Sequence, residues 1–434
     1  MNAKSAGLSM RFYRSLSPTL CALTPLVGPH MPKLAAGLRG RIGLMDRLRA
    51  AAPQIRGCVW FHVTSVGEYE QARPLVLAVK AQHPELPVVV THFSPSGYNF
   101  AMRRPCADLH DYLPYDHPRD MDELVALWQP RLLVFVKFDC WPNQILATDR
   151  AGVPILLMAG GLQPNSTRLK AFAKPLYRDL FNRFAHIGVC TEEDRERFVS
   201  GLGTDAPVSV TGDTRAEQVI LRYEASRAGE TCERLRCLGG RLLILGSTWQ
   251  PDEELWLPIL PQLMSDFPEL RVVLTPHEPL PERLKALEEE LQRRNVTHVR
   301  LSELMSGPTP NHGHPARVVL VDSIGLLAEI YRAGHLAYVG GSFTTGVHNT
   351  MEPAIAELPV MFGPKIHNAE EAGLLKRRGV GYILETPEEA LACATRLLAS
   401  ADELAKAGKA AKEVVLEQRG ATERSMRIIE PYLQ

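Results

Sequence analysis

Short runs of apolar, β-branched residues alternate with helix-length segments from residue 58 onward, and this alternation limits the fold more than any other feature of the chain. The first strand-length runs are 58–63, 87–92, 131–136, 153–158, 186–190 and 207–211. Each run is apolar along nearly its whole length, and each gap has room for a helix. The pattern predicts a parallel sheet that is buried on both faces.

The alternation begins again after a charged, helical segment at 215–240. The second set of runs is 242–246, 271–275, 317–321, 335–339, 359–362 and 381–384. A chain of 434 residues with 45% hydrophobic composition is also too long for one ordinary core. We therefore predict an α/β protein with two Rossmann-like domains facing across a cleft, at 51–215 and 216–434. The C-terminal helical segment is expected to pack back on the first domain.

Sheets of this kind bind ligands at the carboxyl ends of their strands, where loops lead into helices. The chain lacks the G-x-G-x-x-G dinucleotide fingerprint and the G-x-x-x-x-G-K-[ST] phosphate loop. Their absence argues against a dehydrogenase and against a P-loop nucleotidase. A sugar-nucleotide transferase with two Rossmann-like domains remains.

The segment 1–50 is basic and partly apolar. Its apolar stretch at 16–27 is shorter than the roughly 20 residues that a spanning helix needs. We predict a membrane-associating helix that lies on the membrane surface. Two alternatives stay open: a signal peptide, although no small-x-small cleavage site is evident, and an ordinary amphipathic helix packed on the protein body.

The charge and cysteine content of the chain argue against a nucleic-acid-binding protein and against a zinc protein. Lys and Arg number 49 and Asp and Glu number 49, so the chain as a whole has no electrostatic basis for nucleic-acid binding. The eight cysteines are scattered without a C-x-x-C pair, which indicates reduced thiols in the cytosol. Cys232 and Cys237 lack the further ligands of a zinc site, and the two histidines within 306–315 lie in a Pro- and Gly-rich loop. We expect no metal site.

Two clusters of polar residues follow strands of the first domain. Glu68 falls in the first helical turn after the first strand, where a carboxylate can take a proton from a sugar hydroxyl. The Ser65-x-x-Glu68 spacing is equally that of a capping box. Lys137, Asp139 and Trp141 follow the third strand and suit an anionic, hydroxylated ligand. Alternatively, Lys137 pairs with Asp139 and Trp141 fills an interface.

The second domain has comparable loops. Ser247 and Thr248 follow its first strand and His277 follows its second, so hydroxyls and backbone amides there can hold phosphate; His277 is alternatively an ordinary loop histidine. The glycine-rich exit 340–353 leads into a helix and leaves space for a ligand. Asn349 and Glu352, within it, have N-cap and N3 spacing, so capping alone also explains them.

Nine motifs in one order are shared with a known family. They are SVGE at 65–68, FSPSGY at 93–98, YLPYD at 112–116, WPN at 141–143, GDTR at 212–215, GSTW at 246–249, VGGSF at 339–343, HNTMEP at 348–353 and FGPKIHN at 362–368. From about residue 58 to its end, the chain resembles the 3-deoxy-D-manno-octulosonic acid (Kdo) transferases of lipopolysaccharide assembly.

The resemblance implies a GT-B fold and an inverting, metal-independent transfer of Kdo without a cofactor. The donor would be CMP-Kdo and the acceptor a lipid A precursor (lipid IVA), at the cytoplasmic face of the inner membrane. Glu68 would be the general base. The acceptor-side residues would be Ser65, Gly67, Lys137, Asp139 and Trp141. The donor-side residues would be Ser247, Thr248, His277, Ser323, Gly325, Gly341, Ser342, Asn349 and Glu352, the last on the ribose.

The chain departs from the better-known branch of the family in two places. Lys137-Phe138-Asp139 stands where many members have Glu-Thr-Glu, and Pro276-His277-Glu278 stands where others have a Pro-Arg-His element. Two other functions stay open. One is a GT-B transferase or epimerase with a UDP-sugar, differing in the base-reading loop at 322–325. The other is a catalytically silent envelope scaffold that binds lipid.

Overall fold

The computed structural model describes residues 7–27, 31–137, 139–308, 314–367 and 369–434. The described residues form two compact units. Unit 1 comprises those of Met1–Gln218 together with Gly420–Gln434, and unit 2 is Val219–Arg419. Parts of four sequence predictions lie outside the described residues: 1–6 and 28–30 of the N-terminal segment, Phe138, 309–313 of the predicted loop, and Asn368 of the last motif.

Unit 1 is built on a parallel sheet with strand order β3-β2-β1-β4-β5-β6-β7. Its strands are β1 Val59–Val63, β2 Val88–His92, β3 Leu109–Tyr112, β4 Leu132–Val136, β5 Ile155–Gly160, β6 His186–Val189 and β7 Val208–Val210. Its helices are α1 Leu8–Val27, α2 Pro32–Gly40, α3 Leu44–Ile55, α4 Val66–Gln82, α5 Pro95–Arg103, α6 Pro118–Trp128, α7 Pro142–Arg150, α8 Lys174–Phe181, α9 Glu192–Glu196 and α10 Thr214–Ala225, which runs on into unit 2.

Alternate residues of β1 belong to different cores, which explains why the strand is apolar throughout. Trp60 packs edge-on against Trp128 on one face of the sheet, with ring centroids 5.0 Å apart. Val59 and Phe61 belong to the core on the other face. Burial on both faces is what the continuous apolar runs predicted.

Unit 2 is also built on a parallel sheet, with strand order β10-β11-β9-β8-β12-β13-β14. Its strands are β8 Arg241–Thr248, β9 Leu270–Pro276, β10 His298–Arg300, β11 Val318–Leu320, β12 Leu336–Val339, β13 Val360–Phe362 and β14 Gly381–Ile383. Its helices are α11 Glu230–Cys237, α12 Gln250–Trp256, α13 Leu260–Asp266, α14 Pro281–Arg293, α15 Leu301–Ser306, α16 Leu327–Tyr331, α17 Met351–Ile355, α18 Glu370–Arg377, α19 Pro387–Ala399 and α20 Ala401–Leu416.

The last helix, α21 Ala421–Ile429, belongs to unit 1. Met426 and Ile429 enter the same core as Phe61. Beyond them, Arg131 donates to the carbonyl oxygen of Leu433 at 2.9 Å. The chain thus returns to its first sheet after completing unit 2.

Helix α1 is amphipathic. One face packs on unit 1, where Met10 and Ser17 are buried and Arg14 pairs with Asp122 at 2.9 Å. The opposite face exposes a stripe of large apolar side chains, which we call the α1 stripe: Leu8, Phe12, Leu16, Leu20, Leu23 and Leu26. Within the described ranges, no helix combines the length and the apolarity that crossing a membrane requires.

Candidate active site

In unit 1 the strand order reverses between β1 and β4, which lie side by side. Open parallel sheets bind ligands in the crevice at such a switch point. The loop after β1 carries Thr64 and Ser65 and leads into α4 with Glu68, whereas the loop after β4 carries Lys137, Asp139 and Trp141. The fold therefore brings both polar clusters that the sequence singled out to one end of one sheet.

The Glu68 carboxylate is buried and held by Thr64. Glu68 is only 3% exposed. Its Oε2 accepts from the Thr64 backbone N–H at 2.6 Å, and both carboxylate oxygens lie 2.9 Å from Thr64 Oγ1. Ser65 is the N-cap of α4 and accepts from the Glu68 N–H. The capping box that the sequence suggested is therefore altered, because the Glu68 carboxylate takes the N–H of Thr64 and not that of Ser65.

The pKa of Glu68 is raised to about 7, mainly by burial and then by the nearby charge of Asp139. The Thr64 hydrogen bonds and Lys137 oppose this rise. A carboxyl with a pKa near neutrality is poised both to take up and to release a proton. Perturbation of this kind is common at catalytic sites.

Asp139 pairs with a residue that the sequence did not single out. Arg168 Nη2 lies 2.7 Å from Asp139 Oδ1, and Thr64 Oγ1 lies 3.0 Å from Asp139 Oδ2. Lys137 has a positive φ of 73°, a backbone conformation that is uncommon outside glycine. Asp139 thus forms an ion pair with Arg168, which lies in the loop after β5 and has no local sequence signal.

Trp141 is fixed by two contacts. Its Nε1–H donates to His62 Nε2 at 2.9 Å, and its ring packs on Phe93 with centroids 4.4 Å apart. Since His62 Nε2 accepts, its proton is on Nδ1, which lies 2.9 Å from Thr91 Oγ1. Burial, and then the Arg41 charge, lower the pKa of His62 to about 3, so the ring is neutral.

A buried aspartate, Asp116, forms hydrogen bonds to the asparagine of the WPN motif at 141–143. Asp116, the last residue of the YLPYD motif, accepts from the backbone N–H groups of Asn143 and Gln144 in the first turn of α7. Asn143 Nδ2 donates to the carbonyl oxygen of Asp116 at 2.7 Å and to Ser17 Oγ of α1 at 2.8 Å. These bonds fix the start of α7, directly after Trp141, and attach α1 to it.

Gly67 marks open space beside Glu68. A Cβ added at Gly67 meets no atom within 4 Å. The glycine is therefore not required by packing within unit 1. The space leaves room for a ligand at this turn of α4.

In unit 2 the strand order reverses between β8 and β12. Ser247 and Thr248 end β8, and Gly340, Gly341 and Ser342 follow β12. A Cβ on Gly340 would lie 2.4 Å from the Ser247 carbonyl oxygen, so the end of β8 and the loop after β12 approach closely. Gly341 has φ +95°, and a Cβ there would lie 2.7 Å from the Gly346 carbonyl oxygen.

Several of the predicted phosphate-binding groups already have partners. Asp252, which the sequence did not single out, is buried and accepts from the N–H groups of Trp249 and Gly341 at 2.8 and 2.9 Å. Ser342 Oγ accepts from Gly363 N–H at 2.6 Å, and Thr248 Oγ1 donates to Glu253 at 3.0 Å. These hydrogen bonds stabilise the conformation of the loops after β8 and β12. An Asp three residues after Trp249 was the available sequence signal, since it is the N3 partner of a capping box.

Three aromatic rings stack at the ends of β8, β9 and β12. His277 is exposed and lies over His348, with centroids 4.3 Å apart, and over Trp249 at 4.7 Å. Trp249 Nε1–H donates to His348 Nε2 at 3.0 Å. Burial, together with His277, lowers the pKa of His348 to about 4, so this ring is neutral.

Gly325 and Glu352 line one pocket of unit 2, although 27 positions separate them. Arg222, Tyr223 and Arg227, none of which the sequence singled out, line the same pocket. The pocket therefore combines two carboxylates, those of Glu329 and Glu352, with basic groups.

The other residues predicted around this pocket differ in exposure and role. Ser323 is exposed on the loop after β11. Asn349 Oδ1 accepts from the Met351 N–H at 3.0 Å, but the N-cap of α17 is Thr350. The prediction of N-cap and N3 spacing was thus wrong by one position, and Glu352 is the second residue of α17. In the described part of the chain, no three His, Cys, Asp or Glu side chains are grouped as a metal site.

Solved structures of other proteins have a similar fold. A crystal structure of UDP-GlcNAc 2-epimerase from Neisseria meningitidis bound to UDP-GlcNAc is similar, with a TM-score of 0.60, 12% sequence identity, and coverage of 86% of this chain and 99% of that one. At that identity the similarity concerns the fold alone: two Rossmann-like domains with parallel sheets.

The sequence comparisons define the family. Residues 36–218 match the family model described as 3-Deoxy-D-manno-octulosonic-acid transferase (kdotransferase). The 3-deoxy-D-manno-octulosonic acid transferase of Chlamydophila psittaci is 32% identical over 77% of this chain and 76% of its own length. That of Chlamydia pneumoniae is 30% identical over 95% and 94%. The chain belongs to the Kdo transferase family, and it is a glycosyltransferase.

Proposed function

We propose that this Kdo transferase uses CMP-Kdo as donor and a lipid A precursor, lipid IVA, as acceptor, by an inverting mechanism of the GT-B type without a metal. The observation that carries the proposal is Glu68. It is a buried carboxylate at the switch point of unit 1, with a pKa near 7 and open space beside it at Gly67.

Glu68 acts as the general base. The primary hydroxyl of the acceptor loses its proton to Glu68 while its oxygen forms a bond to the anomeric carbon of Kdo. The bond from that carbon to the phosphate oxygen breaks, and CMP leaves with the electron pair. Attack on the face opposite to CMP inverts the anomeric centre. A base with a pKa near the working pH is effective in such a step.

Unit 2 binds the donor. Glu352 accepts from the ribose hydroxyls in the pocket that it shares with Gly325, and the basic residues Arg222 and Arg227 favour the phosphate. His277, which is exposed, offers a further contact to an anion. The N–H groups of Trp249 and Gly341 already donate to Asp252. Side chains therefore contribute more to phosphate binding, and backbone amides less, than the sequence predicted.

The α1 stripe holds the enzyme on the cytoplasmic face of the inner membrane. An amphipathic helix with exposed apolar side chains lies in the interface, with the apolar face among the acyl chains. Arg11, exposed on the same helix, favours anionic lipid headgroups. This arrangement brings the lipid acceptor to the unit that contains Glu68.

The proposal is tested by incubating the full chain with CMP-Kdo and a tetraacylated lipid A precursor in detergent and resolving the products by mass. We expect one or more Kdo additions, inhibited by CMP and not by UDP. Inhibition by UDP with no Kdo product would favour the alternative UDP-sugar enzyme. Lipid binding with neither CMP affinity nor product would favour the silent scaffold.

A further inference from the structure

The hydroxyl of Thr64 lies between two carboxylates. Thr64 Oγ1 is 2.9 Å from each oxygen of Glu68 and 3.0 Å from Asp139 Oδ2. All three distances fall in the hydrogen-bonding range for oxygen pairs. The Thr64 hydroxyl thus contacts both Glu68 and Asp139.

The number of hydrogens limits how these contacts are made. A threonine hydroxyl carries one hydrogen, and an ionised carboxylate only accepts. If Glu68 and Asp139 were both ionised, Thr64 could donate to one of them, and the other short oxygen–oxygen contact would contain no hydrogen. The geometry is satisfied when one carboxyl is protonated and donates to Thr64, while Thr64 donates to the other.

A basic side chain acts on each of the two acids, and a thiol lies beside both. Arg168 forms an ion pair with Asp139, whereas the charge of Lys137 opposes the rise in the pKa of Glu68. Cys140, which lies beside both acids, stays a neutral thiol because burial holds its pKa well above the ordinary value.

The two acids differ in their access to water. Glu68 is 3% exposed, but the side chain of Asp139 is 37% exposed. A base this deeply buried needs a route by which its proton leaves after each turnover. The contacts of Thr64 lead from the buried Glu68 to the more exposed Asp139.

We propose that Glu68, Thr64 and Asp139 form a proton relay; this inference rests on the proposed function of Glu68 as the base. After Glu68 has taken the proton of the acceptor hydroxyl, Glu68 passes a proton to Thr64 Oγ1 while the Thr64 hydrogen moves to Asp139 Oδ2. Asp139 then releases a proton to water. Glu68 ends ionised and Thr64 unchanged, so no other reactant is required. Thr64 and Asp139 are positioning residues, since they act through Glu68.

The test compares Thr64→Val, which removes the hydroxyl at nearly constant shape, with Thr64→Ser, which keeps it. Both leave the Thr64 backbone N–H that Glu68 uses. We expect kcat of Thr64→Val to fall by about 10-fold or more, with a changed pH profile and a changed solvent deuterium isotope effect. We expect Thr64→Ser to stay within about 3-fold of wild type, and Asp139→Asn to behave like Thr64→Val. CMP affinity should be the same in all of them.

Failure of the relay and failure of the proposed function give different results. Wild-type activity and the wild-type pH profile in Thr64→Val would overturn the relay alone. Equal losses in the Val and Ser variants, with unchanged pH profiles, would also overturn it, because they would show a purely structural role. If the wild type transfers no Kdo, or if Glu68→Gln is fully active, the proposed function itself fails.

Discussion

The indole Nε1–H of Trp141 donates to Nε2 of His62 at 2.9 Å, which ties the loop after β4 to the centre of β1. Trp141→Phe keeps a six-membered ring next to Phe93 but removes the N–H together with part of the indole, which leaves a buried imidazole nitrogen of His62 unpaired. We expect this change to destabilise the protein by about 1–3 kcal/mol and to raise KM for the lipid acceptor. Urea unfolding and acceptor kinetics measure the two effects. Unchanged unfolding would show that the bond contributes nothing to stability.

Glu68 makes stability depend on pH. Its folded-state pKa of about 7 lies above its ordinary value of 4.5, so its favourable contribution is complete below about pH 4.5 and is lost as the pH rises through 7. Glu68→Gln cannot ionise. We expect it to be more stable than wild type at pH 8 by about 1–3 kcal/mol, and much closer to wild type at pH 4.5. Denaturant midpoints at both pH values test this, and a difference that does not change with pH would contradict it.

Gly341 is required by backbone geometry. At φ +95°, with Gly346 oxygen 2.7 Å from an added Cβ, Gly341→Ala must shift the loop after β12. We expect loss of CMP binding by about 10-fold or more, together with about 1–3 kcal/mol of destabilisation. Gly379→Ala is the matched control, because Gly379 has φ +72° but open space around its Cβ position. Titration calorimetry with CMP compares the two; equal CMP affinities would contradict the role of Gly341.

The proposed contact between Glu352 and the ribose predicts that Glu352 distinguishes ribose from a sugar that lacks the two ribose hydroxyls. We expect Glu352→Gln to weaken CMP binding by roughly 10-fold, as loss of a charged hydrogen-bond acceptor does. A CMP analogue lacking both ribose hydroxyls should bind the wild type and the variant equally. If the variant weakens both ligands to the same degree, Glu352 does not contact the ribose.

Introducing negative charge into the α1 stripe tests whether these side chains contact the membrane. Leu20→Asp with Leu23→Asp should reduce binding to vesicles of anionic phospholipid by about 10-fold or more, and CMP affinity should not change. Leu77→Asp is the control, since Leu77 is also an exposed leucine but lies on α4. Equal vesicle binding by the double variant and the control would exclude the stripe as the membrane contact.

The sequence predicted the two parallel sheets because their central strands are buried on both faces and therefore apolar throughout, as Val59–Val63 shows. It missed β3 and β10, which are edge strands with the sequences LHDY and HVR. Polar edge strands carry no continuous apolar run, so their pairing is determined by neighbouring strands and not by their own composition.

The sequence also predicted that the loops carrying the candidate site lie together, since loops that follow strands of a parallel sheet converge at one end of it. Glu68 and Asp139 were identified in this way. Thr64, which lies between them, was not, and neither was Arg168. Their roles depend on contacts between segments 29 to 75 positions apart, which no local pattern records.

The central claim is that Glu68 is the base for Kdo transfer, and kinetics of Glu68→Gln against Glu70→Gln test it most directly. Glu70 is on the same helix and pairs with Arg215 at 3.4 Å, so it is a matched control. With CMP-Kdo and the tetraacylated precursor, we expect Glu68→Gln to lose 100-fold or more in kcat, on the order expected for a general base, while CMP affinity is kept and Glu70→Gln stays near wild type. A Glu68→Gln enzyme that transfers Kdo at close to the wild-type rate would contradict the account.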